Sequence, residues 1–317
     1  MKNILIAGGA GFIGSHLTEI FLKKDYNVWI IDNFITSHSD NIIRLKKYPH
    51  FHFIKTDLLS INFKSSFNDI TFDIIYHLAS PASPIQYFRY PIETLRVNSE
   101  GTYLLLEFFR QMPSACFIYS STSEIYGDPL VHPQKENYWG NVNSVGERAC
   151  YDEAKRFGEA LCTAYGKKYH SDIRIARIFN TYGPYMQEED GRVISNFITK
   201  ALQNKPLIVY GDGAQTRSFC YVSDMVNALS LLGEKAVGGE IINLGNPDEK
   251  KIIDIAQMIK LHTHSQSPIQ CVEKRKDDPQ KRKPDITKAQ KLLGWNPVVS
   301  LQEGIQSTIN YFKNILT

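Results

Sequence analysis

Tyr151 and Lys155 stand four residues apart in Tyr151-Asp152-Glu153-Ala154-Lys155. On a helix that spacing puts a phenol and an ammonium one turn apart on the same face. A phenol ionises near pH about 10, too high for a base in neutral water, and a neighbouring ammonium lowers that by favouring phenolate. The pair can then remove a proton from a hydroxyl while a hydride leaves the same carbon. Taken alone, the spacing is also that of an ordinary surface helix, so its weight comes from what precedes it.

What precedes it is a turn able to hold a dinucleotide. Glycines stand at 8, 11 and 14 in Gly8-Gly9-Ala10-Gly11-Phe12-Ile13-Gly14, between an apolar run and a helical pattern. A chain turning there brings its backbone close to a pyrophosphate, and the next helix points its N–H groups and positive dipole end at the phosphates. Strand, glycines and helix in this order are the context that separates a cofactor turn from a merely tight one. Asp32 ends the second apolar run. A carboxylate there accepts ribose hydroxyls and repels a 2′-phosphate, and no arginine follows it in Asn33-Phe34-Ile35-Thr36. The expected cofactor is therefore NAD. A further polar group, Ser121-Thr122-Ser123-Glu124, follows an apolar run ending at Tyr119. The carboxyl ends of strands are where open α/β sheets bind ligands. The bland reading of Ser121 and Thr122 is a turn or cap, and of Glu124 a solvated carboxylate.

These groups need a scaffold. Apolar runs at Ile4–Ala7, Val28–Ile31, Phe51–Ile54, Asp73–Tyr76, Cys116–Tyr119 and Ile173–Ala176 alternate with helical patterns at Ser15–Lys24, Glu93–Met112 and Tyr151–Tyr169. The alternation predicts right-handed βαβ units, and unbroken apolar strands predict a sheet covered on both faces. Past residue 180 the rhythm loosens into loops rich in Gly, Pro and Asn, with helices expected at Ile252–Leu261 and Leu301–Phe312. The expected fold is α/β: a Rossmann-type doubly wound parallel sheet with a smaller, interwoven α/β substrate-binding lobe. Residues 1–180 form the NAD-binding domain, with later segments returning to it, and 181–317 mainly the lobe.

The chain has 317 residues and a net charge of +3, which gives no case for nucleic acid or an anionic membrane surface. Its five cysteines form no CxxC pair, which argues against a zinc ribbon or a disulfide framework and fits a reducing compartment. No basic leader and no apolar run of membrane-spanning length is evident, so the expected location is cytoplasmic. No metal site is expected.

The glycine turn, Asp32 and Tyr-x-x-x-Lys resemble the extended short-chain dehydrogenase/reductase superfamily. Further stretches resemble the UDP-glucuronate decarboxylases, also called UDP-xylose synthases. They are His77–Pro84 (HLASPASP), Ser121–Asp128 (STSEIYGD), Arg148–Lys155 (RACYDEAK), Ile178–Pro184 (IFNTYGP), Asp190–Phe197 (DGRVISNF), Gln215–Asp224 (QTRSFCYVSD), Asn243–Pro247 (NLGNP) and Asp277–Ile286 (DDPQKRKPDI), the last being the most specific. The resemblance spans essentially the whole chain. It implies Tyr151 as base and Lys155 as its electrostatic partner, with Thr122 bonding the sugar near O4. It implies Ser123 and Glu124 at the sugar ring, Glu124 in acid/base work at C5, and Arg282 at the reacting carboxyl end. NAD would meet Gly8, Gly11, Phe12, Ile13, Gly14, Asp32, Asn33, Asp57, Leu58, Leu78 and Ala79. A UDP-sugar would meet Pro84, Tyr87, Asn180, Arg192, Tyr210 and Arg217 as well as Arg282. The resemblance further implies a homodimer formed by the helices around Glu93–Met112 and Tyr151–Tyr169. Two features depart from the pattern: Asn33–His38 lacks the usual glycine and basic residues, and Ser144 and Glu147 replace the usual prolines.

The implied reaction is oxidation at C4 of UDP-glucuronate, loss of carbon dioxide from the resulting β-keto acid, and reduction to UDP-xylose with NAD regenerated. Three other readings stay open on the sequence. A nucleotide-sugar 4,6-dehydratase shares the C4 oxidation; Ser123 is a poor acid for expelling a hydroxyl, but some GDP-mannose dehydratases carry the same Thr-Ser-Glu, so Ser123 alone does not decide and Arg282 in its context tips the balance. A 4-epimerase needs no carboxylate such as Glu124. A catalytically silent NAD-binding protein needs neither Tyr151 nor Lys155.

Overall fold

A computed structural model describes residues 1–68, 70–235, 238–274 and 279–316. At its centre is a seven-stranded sheet whose order is Ile241–Leu244, Ile173–Ile178, Cys116–Thr122, Ile74–His77, Asn3–Ala7, Asn27–Asp32 and Phe51–Lys55. Every neighbouring pair is parallel. The chain builds outward from Asn3–Ala7 in one direction, then crosses back to lay Ile74–His77 on its other side. That reversal opens a crevice at the carboxyl ends of the central strands.

Alternate residues of the first strand explain the unbroken apolar runs. Ile4 and Ile6 belong to a core beneath the helices Phe12–Lys23, Val222–Glu234 and Thr287–Leu293. Leu5 and Ala7 belong to the core on the opposite face, under Pro91–Phe109 and Ala149–Tyr169. Both faces are dry, so neither set of positions is polar. A third core, with Phe197, Ile198, Ile255, Ile259, Ile305 and Phe312, lies among the helices Val193–Leu202, Ile252–Thr263 and Leu301–Leu316. Beside it, Thr216–Ser218 pairs antiparallel with Glu249–Lys251 and parallel with Lys281–Arg282. Among the described residues, no helix is long and apolar enough to cross a membrane.

Several element bounds differ from expectation, each for a local reason. The strand expected to stop at Tyr119 runs to Thr122, because Ser120, Ser121 and Thr122 pair with Ala176, Arg177 and Ile178. The first helix begins at Phe12 rather than Ser15, with Gly11 as its N-cap. The helix expected over Glu93–Met112 spans Pro91–Phe109, its proline serving as an early helical residue whose missing N–H costs nothing there.

Candidate active site

The carboxyl ends of the central strands open into a cleft of about 1210 Å³. A side cavity of about 150 Å³ adjoins it, and Gly8, Gly11, Leu78 and Ser80 line both. Gly8 adopts a left-handed φ of 83°. A Cβ on Gly14 would stand 2.2 Å from the Gly8 carbonyl oxygen, so helix and turn touch only because that side chain is missing. No side chain caps the helix at Gly11, and Phe12 and Ile13 line the cleft. The helix therefore presents its N-terminal end to the cleft without a competing carboxylate or hydroxyl.

Asp32, Asn33, Asp57, Leu58 and Ala79 line the side cavity. The Asp32 carboxylate accepts the N–H groups of Ala10 at 3.0 Å and Phe34 at 2.9 Å, and the Ser37 hydroxyl at 2.8 Å. Three donors fix its orientation and leave room for a further hydroxyl, since a carboxylate offers about four lone-pair sites. Burial raises its proton affinity, and those three donors oppose the rise. Asn33 donates to Asp57 at 2.8 Å, closing the rim of the cavity.

The helix Ala149–Tyr169 brings Tyr151 and Lys155 to the floor of the cleft. Its close approach to the sheet depends on Gly158, where a Cβ would fall 2.1 Å from the Tyr119 hydroxyl. Below it, Glu159 accepts Ser121 at 2.5 Å and is gripped by two nitrogens of Arg177, tying helix to strand. Tyr151 stacks on Tyr87 with centroids 5.0 Å apart and planes within 7°. Lys155 donates to the Ser120 carbonyl at 2.8 Å and lies 5.9 Å from the Tyr151 ring. Burial governs both groups. It pushes the Tyr151 phenol up to about 12, against a hydrogen bond with Thr122, and it brings Lys155 down to about 7. The simple expectation that the ammonium alone draws the phenol into the neutral range is therefore not met by the chain's own groups.

Glu124 lies on the short 3-10 turn Ser123–Tyr126, whose start is capped by the Thr122 hydroxyl at 3.2 Å from the Glu124 N–H. Its two oxygens are each taken by an arginine, Arg148 on Oε2 and Arg282 on Oε1. Burial alone would raise the Glu124 carboxyl, but Arg148, Arg282 and Arg217 hold it well below the ordinary carboxylate range. Arg282 is only 2% exposed, donates to the Gly127 carbonyl at 3.0 Å and keeps an unpartnered Nε. The charge-rich stretch around it would suit a solvated loop; pairing of Lys281–Arg282 with Thr216–Arg217 draws it inside. Asp277 and Asp278, from the same stretch, lie outside the described residues.

The remaining residues singled out for a substrate line the same cleft: Pro84, Tyr87, Asn180, Arg192, Tyr210 and Arg217. Arg192 faces Asp190 at 3.3 Å, and Arg217 donates to the Thr216 carbonyl at 2.8 Å. The cleft thus holds a phenol and, beside it, a carboxylate between arginines.

Residues 5–308 match the family described as GDP-mannose 4,6 dehydratase. UDP-glucuronic acid decarboxylase 1 of Danio rerio is 49% identical over 315 residues, covering 99% of this chain and 73% of the relative. UDP-glucuronic acid decarboxylase 5 of Arabidopsis thaliana is 48% identical over 303 residues, covering 95% and 86%. The chain belongs to the UDP-glucuronic acid decarboxylase family, within the extended short-chain dehydrogenase/reductase superfamily. Among solved structures, the UDP-glucuronic acid 4-epimerase from Bacillus cereus, in complex with UDP-glucuronic acid and NAD, matches with a TM-score of 0.90 at 31% identity over 99% of both chains. The fold of this family member is accordingly the Rossmann-type sheet of NAD-bound nucleotide-sugar enzymes.

Two residues of the cluster escaped the sequence reading, Arg148 and Asp152. Their signal was the i, i+4 spacing of opposite charges bracketing Tyr151, which ordinarily marks a solvated helix face. Here Asp152 is 5% exposed and Arg148 lines the cleft.

Proposed function

We propose that this protein is a lyase that converts UDP-glucuronate to UDP-xylose and carbon dioxide, with NAD restored in each turnover. The observation that carries the reading is Glu124 clamped between Arg148 and Arg282 beside Tyr151. An arginine of this kind suits a substrate that brings its own carboxylate, which a neutral hexose losing water does not; the relatives' names favour loss of that carboxylate over exchange of configuration at C4.

The cofactor residues fit NAD. The side-chain-free turn, the uncapped helix start and the pre-oriented Asp32 suit a pyrophosphate and an unphosphorylated ribose. NAD, when bound, supplies a hydride acceptor and donor for C4 and a positive charge beside the phenol. Tyr151 takes the O4 proton and later gives it back to O4, with Thr122 bonding the same oxygen and Lys155 favouring phenolate. Arg282 pairs with the substrate carboxylate at C6. Once C4 is a ketone that carboxylate is β to it, so carbon dioxide leaves and the C5 electron pair delocalises into the ketone. Glu124, with Ser123, directs the proton that C5 then receives. Asn180, Arg192, Tyr210 and Arg217 hold the nucleotide diphosphate, and Pro84 and Tyr87 the sugar. In this division residues 1–180 carry the dinucleotide, and residues 181–317 mainly the substrate lobe together with the segments that return to the sheet.

The same reading makes the protein cytoplasmic, in keeping with five free cysteines. It also makes it a homodimer joined through the helices Pro91–Phe109 and Ala149–Tyr169. Those helices expose Ile92, Leu95, Tyr103 and Phe157.

Incubation with UDP-glucuronate and a catalytic amount of NAD tests the activity, with products identified by NMR and mass spectrometry. UDP-xylose with carbon dioxide is the expected result. Accumulation of the C4 epimer of UDP-glucuronate would make the protein an epimerase. Inertness toward UDP-glucuronate with water loss from UDP- or GDP-hexoses would make it a dehydratase.

A further inference from the structure

Arg282 can meet a substrate carboxylate only as accurately as the strand beneath it is placed, and that strand, Lys281–Arg282, is two residues long. One edge of it is held by Thr216–Ser218. The two strands pair in parallel, and the Ser218 hydroxyl donates to the Arg282 carbonyl at 3.2 Å. Lys283 turns both of its backbone groups to a different neighbour, Gln134. The Lys283 N–H donates to the Gln134 side-chain oxygen at 2.8 Å, and the Lys283 carbonyl accepts the Gln134 N–H at 2.8 Å. The Asp285 N–H donates to the Gln134 carbonyl at 2.8 Å. The nitrogen of the same side-chain amide donates to the Val131 carbonyl at 2.8 Å, so both ends of the amide are used and its orientation is fixed. Gln134 is fully buried and does not line the cleft. Whatever it does for the reaction, it does through the segment it holds.

Gln134 lies on the chain that leaves the turn bearing Glu124. Gly127, which follows that turn, gives its carbonyl to Nη2 of Arg282 at 3.0 Å. Asn243, also fully buried, closes the frame. Its Oδ1 accepts the hydroxyl of Tyr126, the last residue of the turn, at 2.8 Å. Its Nδ2 donates to the carbonyls of Gln134 at 3.0 Å and Asp285 at 3.2 Å. Two buried amides therefore tie the turn of Glu124 to the strand of Arg282. A buried backbone group that loses its partner costs the full desolvation of that group. Without the Gln134 amide, the Lys283 N–H and the Val131 carbonyl would each be left in that state, and the strand would shift to relieve it. A guanidinium displaced by about 1 Å loses much of its pairing with a carboxylate, because that pairing is directional.

We propose that Gln134 is a positioning residue. Through Lys283 it fixes Arg282 where the guanidinium meets the C6 carboxylate, and it thereby sets the preference for a sugar that carries a carboxylate over the same sugar without one. The inference rests on the decarboxylase reading, in which Arg282 takes that carboxylate.

Gln134→Met removes both bonds of the amide at similar side-chain size. The full-length protein is loaded with NADH, which cannot oxidise the sugar, and titrated by calorimetry with UDP-glucuronate and with UDP-xylose. These ligands share the nucleotide and the ring and differ in the C6 carboxylate. In Gln134→Met the Kd for UDP-glucuronate should rise about 10-fold, while that for UDP-xylose stays within about 2-fold of wild type. In an Arg282→Ala background the same substitution should add nothing, because the group it positions is gone. Equal weakening of both ligands would show a general structural role and overturn the proposal. Unchanged affinity for both, or a loss that adds in full to that of Arg282→Ala, would do the same. If Gln134→Met does not fold, amide exchange at Lys283 in the wild type decides. Its N–H should be protected in the NAD-loaded protein without substrate, and free exchange until UDP-glucuronate binds would overturn the proposal. Product formation by the wild type is followed in parallel. Failure to form UDP-xylose removes the decarboxylase reading itself, whereas UDP-xylose formation with a carboxylate preference indifferent to Gln134 removes only the positioning role.

Discussion

At Tyr151 and Lys155, burial sets the chemistry. A phenol pushed up to about 12 stays protonated near neutrality, and an ammonium brought down to about 7 stands between its charged and neutral forms there. Full basicity at Tyr151 therefore awaits the charge that the cofactor brings. Tyr151→Phe should abolish NADH formation on substrate, a loss of at least about 100-fold, yet leave NAD binding by fluorescence titration unchanged. Lys155 carries a stability cost whose sign follows from its direction of shift. Its folded value lies below that of the unfolded chain, so the cost is complete below pH about 7 and fades as pH climbs toward the unfolded value. Lys155→Met should inactivate the enzyme and stabilise the cofactor-free protein by about 1–3 kcal/mol at neutral pH, a gain that shrinks in alkaline urea titrations. A neutral or destabilising outcome would mean that the bond to the Ser120 carbonyl outweighs the desolvation of the ammonium.

At the level of elements, two contacts without side chains decide where the chemistry sits. Gly14 lets the first helix rest on the Gly8 turn, and Gly158 lets the helix bearing Tyr151 rest on Tyr119. In Gly14→Ala the added Cβ meets backbone, which cannot rotate away. The helix must back off from the turn, at a cost of about 1–3 kcal/mol. The expected result is a lower thermal midpoint together with weaker NAD binding, measured by calorimetry and fluorescence titration. The small strand Lys281–Arg282 works in the opposite sense: backbone pairing with Thr216–Arg217 carries a long cation to Glu124 that its own sequence neighbourhood would have left in water.

For the molecule as a whole, the exposed apolar residues on the two long helices and the histidines of depressed proton affinity give two further outcomes. Phe157, 52% exposed, lies on one of the helices proposed to join two copies. Phe157→Asp should shift sedimentation from dimer toward monomer, and a wild type that sediments as a monomer would remove the dimer. His77 is buried and its ring is lowered to about 3, first by burial and then by Lys155, with only a bond to the Val97 carbonyl opposing. His16 is lowered to about 4 by burial as well. A depressed histidine lets the unfolded chain bind the proton that the native state refuses, so stability falls as pH drops below the unfolded value of about 6.5. At pH about 5, His77 alone should remove about 2 kcal/mol relative to neutrality. Urea unfolding at the two pH values checks this, and the loss should shrink in His77→Asn.

Glycine spacing, the acid ending the second strand and Tyr-x-x-x-Lys were readable in the sequence because each is local. A turn, a strand end and one helical face fix the relative places of residues that lie within a few positions of one another. The parallel sheet was readable too, since strands covered on both faces leave continuous apolar runs. The cluster behind Glu124 was not. Arg148, Asp152 and Arg282 have the composition of solvated charges, and nothing in their spacing tells a buried carboxyl from an exposed one. Only the packing of Ala149–Tyr169 against Cys116–Thr122, and of Lys281–Arg282 against Thr216–Ser218, brings them together away from water. Desolvation then raises the proton affinity of Asp152 while the arginines lower that of Glu124, and both effects depend on distances that only the folded chain defines.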